Sequence, residues 1–592
     1  MNPSRRHALL PESALTLPLP AWPGRDADHL LVSGSQMAEL ERQLFASGLP
    51  VEALMEKAAL AVSRRLLADH GQRLRRHGAL VLVGPGHNGG DGLVIARELQ
   101  LAGVATSIWS PFSEHKPLTA CHWRHALWLG IERLSQPPPA EGPALWIDAL
   151  FGIGQRRPPG AAIETLLAER QRLQPAALVA VDVPTGICAD SGRLLGAVAA
   201  RACTTYSIGL IKTGLVQDQA LSWVGKLERI DLALPRALLD RLPQQQPLAL
   251  AAADLAELPA LPLDPALGKY GRGRLLVVAG SDRYRGAAAL ALAGATASGC
   301  GSVRAALPEA VAAGLWQSQP QVVIQRSLAS GPSGGLALGE LQSTDLQRLD
   351  ALVLGPGIGT AVGEKAVGEK AVGDQAFSDS AGGGAVSGTA GFGAGSWAGG
   401  GACIDEEISG AELDFWQALQ RSPALLLLDA DGLNRLAGPI ARQFGVSPAA
   451  WLSGRLGPSW ITPHAGEFAR LFPELVSLPA LEAAAAAARA SGAAVLLKGA
   501  RTVVAAPDGR CWQLRQAASA VARAGLGDVL AGYAGGLGAL ALAAGWPADA
   551  QLLAAAALAH AGTGLRLQQN RLAASPEQLA LQLPNYLFEA PF

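Results

Sequence analysis

Two separate stretches of this chain alternate short, continuously apolar runs with helix-patterned segments, and most of the runs stop at a glycine turn or an aspartate. Apolar runs of roughly four to eight residues bounded by such turns read as buried strands, and helices between them make the strands lie parallel. The first stretch carries ALVLVGPG (79–86), VATSIWS (104–110), ALWIDALFGIG (144–154) and ALVAVDVPTG (177–186), with a helix predicted over 91–103. The second carries GRLLVVAGS (273–281), GSVRAALPE (301–309), ALVLGPGIG (351–359), ALLLLDADGLNRL (424–436), SWITPHAGEF (459–468) and AAVLLKGARTVVAAPDG (493–509). An Ala-rich helix is predicted at 286–299, and AGLGDVLAGYAGGLGAL (524–540) leads into a long Ala/Leu helix. The expected fold class is α/β twice over, the first domain a Rossmann-like three-layer αβα unit. Ligands of such sheets bind at the carboxyl ends of the strands, where these turns sit.

The domain boundaries follow from composition. Residues 1–30 are Pro-rich and read as a flexible leader, 31–240 as the first domain, and 248–592 as the second, after the linker-like LPQQQP (242–247). Ahead of the first strand, two helices are predicted, broken at Gly48-Leu49-Pro50, with Ser35 as the first N-cap. AVGEK-AVGEK-AVGDQ (361–375) and the Gly/Ala/Ser tract behind it make 360–411 a low-complexity insertion, expected to be disordered.

Whole-chain arithmetic narrows the function classes. With 48 basic and 49 acidic residues the net charge is −1, which disfavours nucleic acid as a partner, while 49% hydrophobic content excludes disorder throughout. Six cysteines without a CxxC pair fit a reducing compartment and no zinc ribbon. Prolines break the apolar N-terminal stretch, so it is a poor signal peptide, and the longest apolar run, around Leu552–Ala559, is too short to span a bilayer. A cytoplasmic protein without membrane attachment is expected.

GPGHNGGDG (84–92) follows a strand and opens a helix, a placement that aims backbone amides at an anion. The next strand ends in Trp109-Ser110-Pro111, without the acidic residue a dinucleotide fold places there, which weakens a dehydrogenase reading. His87, Asn88 and Asp91 give this loop more polar groups than a tight turn needs. Asp148 and Asp182 close two strands and could bind a cation, serve as acid and base, or simply cap their loops. With Asn88 and Thr185 they form an oxygen-rich set suited to a hard cation. In the second domain, Gly525–Gly527 at a helix start can form an anion hole, with Asp528 within reach of an attacking hydroxyl. No GxxxxGK[ST] is present, and GPSGG (331–335) matches a nucleophile elbow only formally, since no strand leads into it.

These residues carry two resemblances. GPGHNGGDGLVIAREL, DALFGIG and VAVDVPTG, preceded by LMEKAAL, resemble the NAD(P)H-hydrate epimerase family, the YjeF N-terminal domain, over about residues 30–240. The resemblance implies a hydrate site lined by His87, Asn88, Gly89, Gly90 and Asp91 and by Gly152, Ile153, Gly154, Gln155, Arg156, Arg157 and Pro158. It also implies Asp182 as the catalytic acid/base, and potassium held by Asn88, Asp148 and Thr185. GSDRYRGAAALALAGATASGCGSVRAALP (280–308), with GPGIG, DADG, TPHAGEF, KGART and AGLGDVLAG, resembles the ribokinase-like NAD(P)H-hydrate dehydratase family over about 250–570. It implies hydrate contacts at Ala287, Gly357, His464 and Asp528, with Asp528 catalytic. Nucleotide contacts are implied at Lys498, Gly499, Ala500, Arg501, Thr502 and Gly527, along with magnesium, ADP as co-substrate and a homo-oligomer. Where that family usually reads ATGGxGD, this chain has Ala522-Arg523-Ala524-Gly525-Leu526-Gly527-Asp528, and Ala517-Ala518 stand where it carries a GN pair. The expected activity is repair of hydrated NAD(P)H by epimerisation and ADP-dependent dehydration. The alternative is a ribokinase-like vitamin-precursor kinase carrying a non-catalytic YjeF-like module.

Overall fold

The apolar run Ala79–Val83, buried on both faces, is an inner strand of a seven-stranded, fully parallel sheet. Its strands lie in the order Glu132–Arg133, Thr106–Trp109, Ala79–Val83, Leu145–Ala149, Leu178–Val181, Thr204–Ile208 and Lys226–Ile230. The order reverses at Ala79–Val83, so the loops after that strand and after Leu145–Ala149 diverge and leave a crevice. The computed structural model describes residues 19–258, 266–331, 334–359, 408–570 and 575–583.

Helices Gly34–Ala46 and Val51–His77 are broken at Gly48–Pro50, as the sequence predicts. The first is capped by Ser33 instead of Ser35. Ser33 Oγ accepts the Gln36 N–H at 3.0 Å and Gln36 Oε1 accepts the Ser33 N–H at 2.9 Å, a reciprocal pair that needs the glutamine three residues on. The helix expected from residue 91 begins at His87, inside the glycine motif, because Gly86 supplies the extended N-cap.

The second domain has a ten-stranded sheet. It runs Leu248–Leu250, Cys511–Leu514, Val503–Ala505, Ala494–Leu497, Ser459–Ile461, Leu425–Leu428, Ala351–Leu354, Arg274–Val278, Ser302–Pro308 and Val323–Leu328. Only Val503–Ala505 runs antiparallel to its neighbours. Here the order reverses at Arg274–Val278, placing the turns after Val278, Leu354 and Leu428 side by side. Helix Leu526–Ala543 crosses this sheet against helix Arg285–Ala297, packed so closely that a Cβ on Gly532 would meet the Ala291 carbonyl at 1.8 Å. It is longer and more uniformly apolar than the run around Leu552, enough to cross a membrane by composition, but 78% of its apolar window is buried as a core helix.

Two boundaries differ from expectation. Residues 19–30 of the expected leader have a defined place, and Trp22 is buried in the second domain's core. Its indole N–H donates to the Asp254 carbonyl at 2.8 Å, and its own carbonyl accepts from Trp512 at 3.2 Å. An indole is a large hydrophobic group with one polar handle, and both needs are met there despite the surrounding prolines. The insertion ends sooner than residue 411, since Ile408 is in the core and Ser409 caps helix Gly410–Arg421. Residues 360–407, including the AVGEK repeat, lie outside the described residues, as do Pro332 and Ser333 of GPSGG. Buried Arg435 ties the chain on either side of the insertion together, donating to the Gly359 carbonyl at 3.0 Å and to Glu412 Oε1 at 2.8 Å.

His29 bridges the domains, donating from Nδ1 to Asp26 at 2.8 Å and from Nε2 to Asp254 at 3.2 Å. Burial opposes its charge, but Asp254 and then Asp26 outweigh it and lift the imidazole to about 8. A folded value above the ordinary 6.5 means this contribution is complete below about pH 6.5 and lost as pH rises through 8. His29→Gln is therefore expected to lower stability by up to about 2 kcal/mol at pH 6 and to match the parent by pH 9. Thermal unfolding across that range measures it, and a pH-independent difference contradicts it.

Candidate active sites

The first site fills the crevice beside Ala79–Val83. Gly84 and Gly89 press together so tightly that a Cβ on Gly89 would lie 2.0 Å from the Gly84 carbonyl, which folds the loop back and lets the helix begin at His87. A cavity of about 1080 Å³ opens beside it. Of the residues expected there, His87, Asn88, Asp91, the whole of 152–158 and Asp182 line it. Gly89 and Gly90 do not: Gly89 backs onto Gly84, and a Cβ on Gly90 would come within 2.8 Å of Met55 Sδ. Their small size serves packing behind the site. Gln155 is buried and its Oε1 accepts the Gly186 N–H at 2.8 Å, fastening the 152–158 loop to the turn after Asp182. Arg156 is paired with Asp190 at 2.9 Å on the rim.

Asp182 follows strand Leu178–Val181 with φ of 68°, a left-handed backbone that an aspartate adopts at a cost of order 1–3 kcal/mol. Surrounding contacts fix it there. Oδ1 accepts from buried Lys212 Nζ and, at 3.3 Å, from the Ile208 N–H, while Oδ2 accepts the Ile153 N–H at 3.3 Å. Lys212 was not anticipated; its signal was a lone charge within the otherwise uncharged run 204–216. Glu41, also unanticipated, lines the cavity from helix Gly34–Ala46, where sequence alone makes it one more charge on a polar helix face. Burial, and then the nearby Asp182, push its carboxyl up to about 7. The same causes, with Glu41 added, hold Asp91 well above the usual carboxylate range. Burial and Lys116 lower His87, favouring its neutral imidazole.

Asp148 and Thr185 lie fully buried at neighbouring strand ends. Asp148 Oδ1 accepts the Thr185 hydroxyl and Oδ2 the Thr185 N–H, both at 2.8 Å. Burial outweighs these bonds and raises Asp148 to about 6. Asn88 adds a side-chain amide with a buried nitrogen that has no partner, and its oxygen is the atom that could face a cation. A buried carboxylate without a cationic partner, a hydroxyl and an amide oxygen are the kinds of oxygen ligand that fit potassium.

The second site sits at the switch point of the larger sheet. Gly357 and Ala287 are brought together: a Cβ on the glycine would meet that of Ala287 at 2.6 Å. Asp429, 1% exposed at the end of Leu425–Leu428, accepts from Thr462 Oγ at 2.7 Å and from Lys498 Nζ. Gly527 stands over the same lysine, where a Cβ would lie 3.4 Å from Nζ. Asp528, in the first turn of helix Leu526–Ala543, is pushed up to about 7 by burial, then by Asp429, with Lys498 opposing. His464 caps helix Ala465–Leu471, its Nδ1 accepting the Gly466 N–H at 2.9 Å, and pairs with Lys498 across a parallel bridge. Asp431 Oδ2 accepts the Gly359 N–H at 2.9 Å. Arg523 is exposed. One expectation fails within 498–502: the buried Arg501 guanidinium donates to the Leu215 carbonyl at 2.9 Å, facing the first domain, and the amides of Ala500 and Arg501 are taken by Asp218. Domain packing, invisible to a local motif, turns these groups from the site.

The two sheets and the acidic groups gathered at their switch points define a two-domain α/β enzyme. Residues 51–214 match the family model described as YjeF-related protein N-terminus, and residues 275–376 and 401–585 match that of NAD(P)H-hydrate dehydratase. Over 566 residues the chain is 38% identical to a bifunctional NAD(P)H-hydrate repair enzyme of Synechocystis, covering 95% of this chain and 94% of the relative. It is 38% identical over 563 residues to that of Gloeobacter violaceus, covering 94% and 97%. A solved structure of the ADP/ATP-dependent NAD(P)H-hydrate dehydratase of Bacillus subtilis, co-crystallised with ATP and Mg2+, is similar at 22% identity and a TM-score of 0.38, covering 58% of this chain and 98% of that one. The chain belongs to the bifunctional NAD(P)H-hydrate repair enzyme family.

Lys212 is the only cation bonded to Asp182 among the described residues. Lys212→Met leaves that carboxylate buried and unpaired, with an expected loss of about 3–5 kcal/mol in urea unfolding. The double variant Lys212→Met/Asp182→Asn is expected to lose less than the sum of the two single changes. Additive losses would show the pair to be uncoupled.

Proposed function

We propose that the first domain interconverts the R and S forms of hydrated NADH and NADPH, and that the second dehydrates the S form at the expense of ADP, giving AMP and phosphate. The observation that supports this most is the pair of switch-point sites in one chain, each built on an aspartate paired with a lysine and each holding a second carboxyl raised to about 7.

In the first site the reaction inverts the ring carbon that bears both the hydroxyl and the ring nitrogen. A proton must leave or join that hydroxyl, whether the ring opens or the hydroxyl departs. Asp182, fixed beside Lys212, is the acceptor. Glu41 across the cavity carries a proton near neutrality and is the donor, two carboxyl groups given different tasks by different surroundings. Asn88, Asp148 and Thr185 would hold potassium, which supplies a fixed positive charge next to this acidic cluster.

In the second site Asp528 takes the proton of the hydrate hydroxyl as its oxygen attacks the terminal phosphorus of ADP and AMP departs. Phosphate is then a good leaving group, expelled by the ring-nitrogen lone pair, and loss of the adjacent ring proton restores the dihydronicotinamide. Lys498, beside Asp429 and Gly527, neutralises the transferring phosphoryl. Asp429, Glu467 and Asp528 place three carboxyl groups around that one ammonium, an excess of acidic groups that fits magnesium, which supplies further neutralisation of the phosphates when bound. The five described cysteines are free, in keeping with action in the cytoplasm.

A mixture of both hydrate forms with ADP, followed by the return of nicotinamide absorbance, tests the reading. Complete recovery is expected from the parent. Asp182→Asn should stop near half, with the R form left over, and Asp528→Asn should recover none beyond the spontaneous rate. A stable phosphorylated product without recovery would favour a vitamin-precursor kinase. Because Asp528 must be ionised to act and its carboxyl lies near 7, dehydratase kcat/KM should fall roughly tenfold per pH unit below that value and level off above it. A rate flat from pH 5 to 8 would remove Asp528 as the base.

A further inference from the structure

The loop that carries Lys498 is held by the other domain. Asp218 belongs to the first domain, in the short turn Asp218–Ala220, yet its carboxylate grips two consecutive amides of the second. Oδ2 accepts the Ala500 N–H and Oδ1 the Arg501 N–H, both at 2.8 Å. The approach requires the glycine between them and Lys498: a Cβ on Gly499 would lie 2.5 Å from Asp218 Oδ2. Around this contact further hydrogen bonds cross the interface. The Arg501 guanidinium donates to the Leu215 carbonyl at 2.9 Å, Gln217 donates to Gln513 Oε1 at 2.9 Å, and Gln513 donates to the Val216 carbonyl at 2.8 Å.

We propose that Asp218 is a positioning residue for the dehydratase reaction, through which the first domain sets the shape of the nucleotide loop in the second. The inference rests on the reading of this segment as the nucleotide loop, with Lys498 facing the site and Ala500 and Arg501 anchoring it from behind. Lys498 is fixed on one side, its Nζ on Asp429 and its own N–H on the Pro463 carbonyl at 2.9 Å. The turn at 499–501 that follows has its amides satisfied from outside its own domain. Without Asp218, two backbone N–H groups lose their acceptors and the turn is free to rotate, so part of the nucleotide's binding energy goes into ordering it. The carboxylate does not touch the reacting atoms, so the loss falls on nucleotide binding and not on the chemical step.

Full-length Asp218→Ala and Asp218→Asn test this, with Gln217→Ala as an interface control that leaves the 499–501 turn alone. Asp218→Ala should raise the KM for ADP about fivefold, equivalent to roughly 1 kcal/mol, with kcat within about twofold and the epimerisation rate unchanged. Asp218→Asn, which keeps one oxygen acceptor, should fall between it and the parent, and Gln217→Ala should match the parent. An unchanged KM in Asp218→Ala overturns the proposal, as does an equal rise in Gln217→Ala, which would mean general loosening of the interface. Calorimetric titration of ADP and ATP into the parent separates the two levels of inference. A parent that binds neither nucleotide defeats the reading of the loop, and the proposal with it. A parent that binds while Asp218→Ala binds equally well defeats the positioning role alone.

Discussion

A carboxylate at the mouth of a parallel sheet, neutralised by a lysine from a different element, is the arrangement on which both halves of this molecule depend. Asp182 with Lys212 and Asp429 with Lys498 are the two instances. Each aspartate ends a strand buried on both faces, where an unpaired charge would cost several kcal/mol and the carboxyl would instead keep its proton. The neighbouring groups show the alternative. Glu41 and Asp528, near these pairs but without a lysine of their own, are pushed up to about 7. A carboxyl paired with a lysine, beside another held near its titration point, is what proton transfer at neutral pH requires.

Strain accompanies the same places. Asp182 itself, and Ala430 between Asp429 and Asp431, are two of the five non-glycine residues with positive φ among the described residues. Neither turn is one that sequence preference would choose. In the first domain the Lys212 pair and two backbone amides hold the aspartate in place. In the second, the Thr462 and Lys498 bonds to Asp429 fix the residue just before the strained one. The cost of the backbone is offset by contacts that also define the site.

The two domains are joined as more than neighbours on a string. Trp22 and His29, from a segment that looks like a loose leader, are seated against the second domain, and strand Leu248–Leu250 pairs with Cys511–Leu514 directly after the linker. These contacts bring the 213–220 turn against the 498–502 loop, so a bifunctional chain of this build has one shared wall between its reactions.

Much of this was legible without coordinates. The strand runs, the aspartates that end them and the glycine motifs are local signals, since burial on both faces demands an unbroken apolar run and a close backbone approach demands glycine. Asp182, Asp148, Thr185, Asp429 and Asp528 could therefore be placed at strand ends or a helix start from their neighbours in the chain. Glu41, Lys212 and Asp218 could not, because each acts on a group 141, 30 and 282 residues away, and nothing in the flanking residues marks a charge as facing a site instead of water. The reverse error arose at Gly90 and Arg501, whose motifs suggested a ligand while packing turned one toward Met55 and the other into the domain interface. Local sequence determined which elements form and where their chemistry is carried. The pairing of distant charges, which decides what those carboxylates can do, came only from the tertiary fold, because electrostatic energy depends on separation in space and not along the chain.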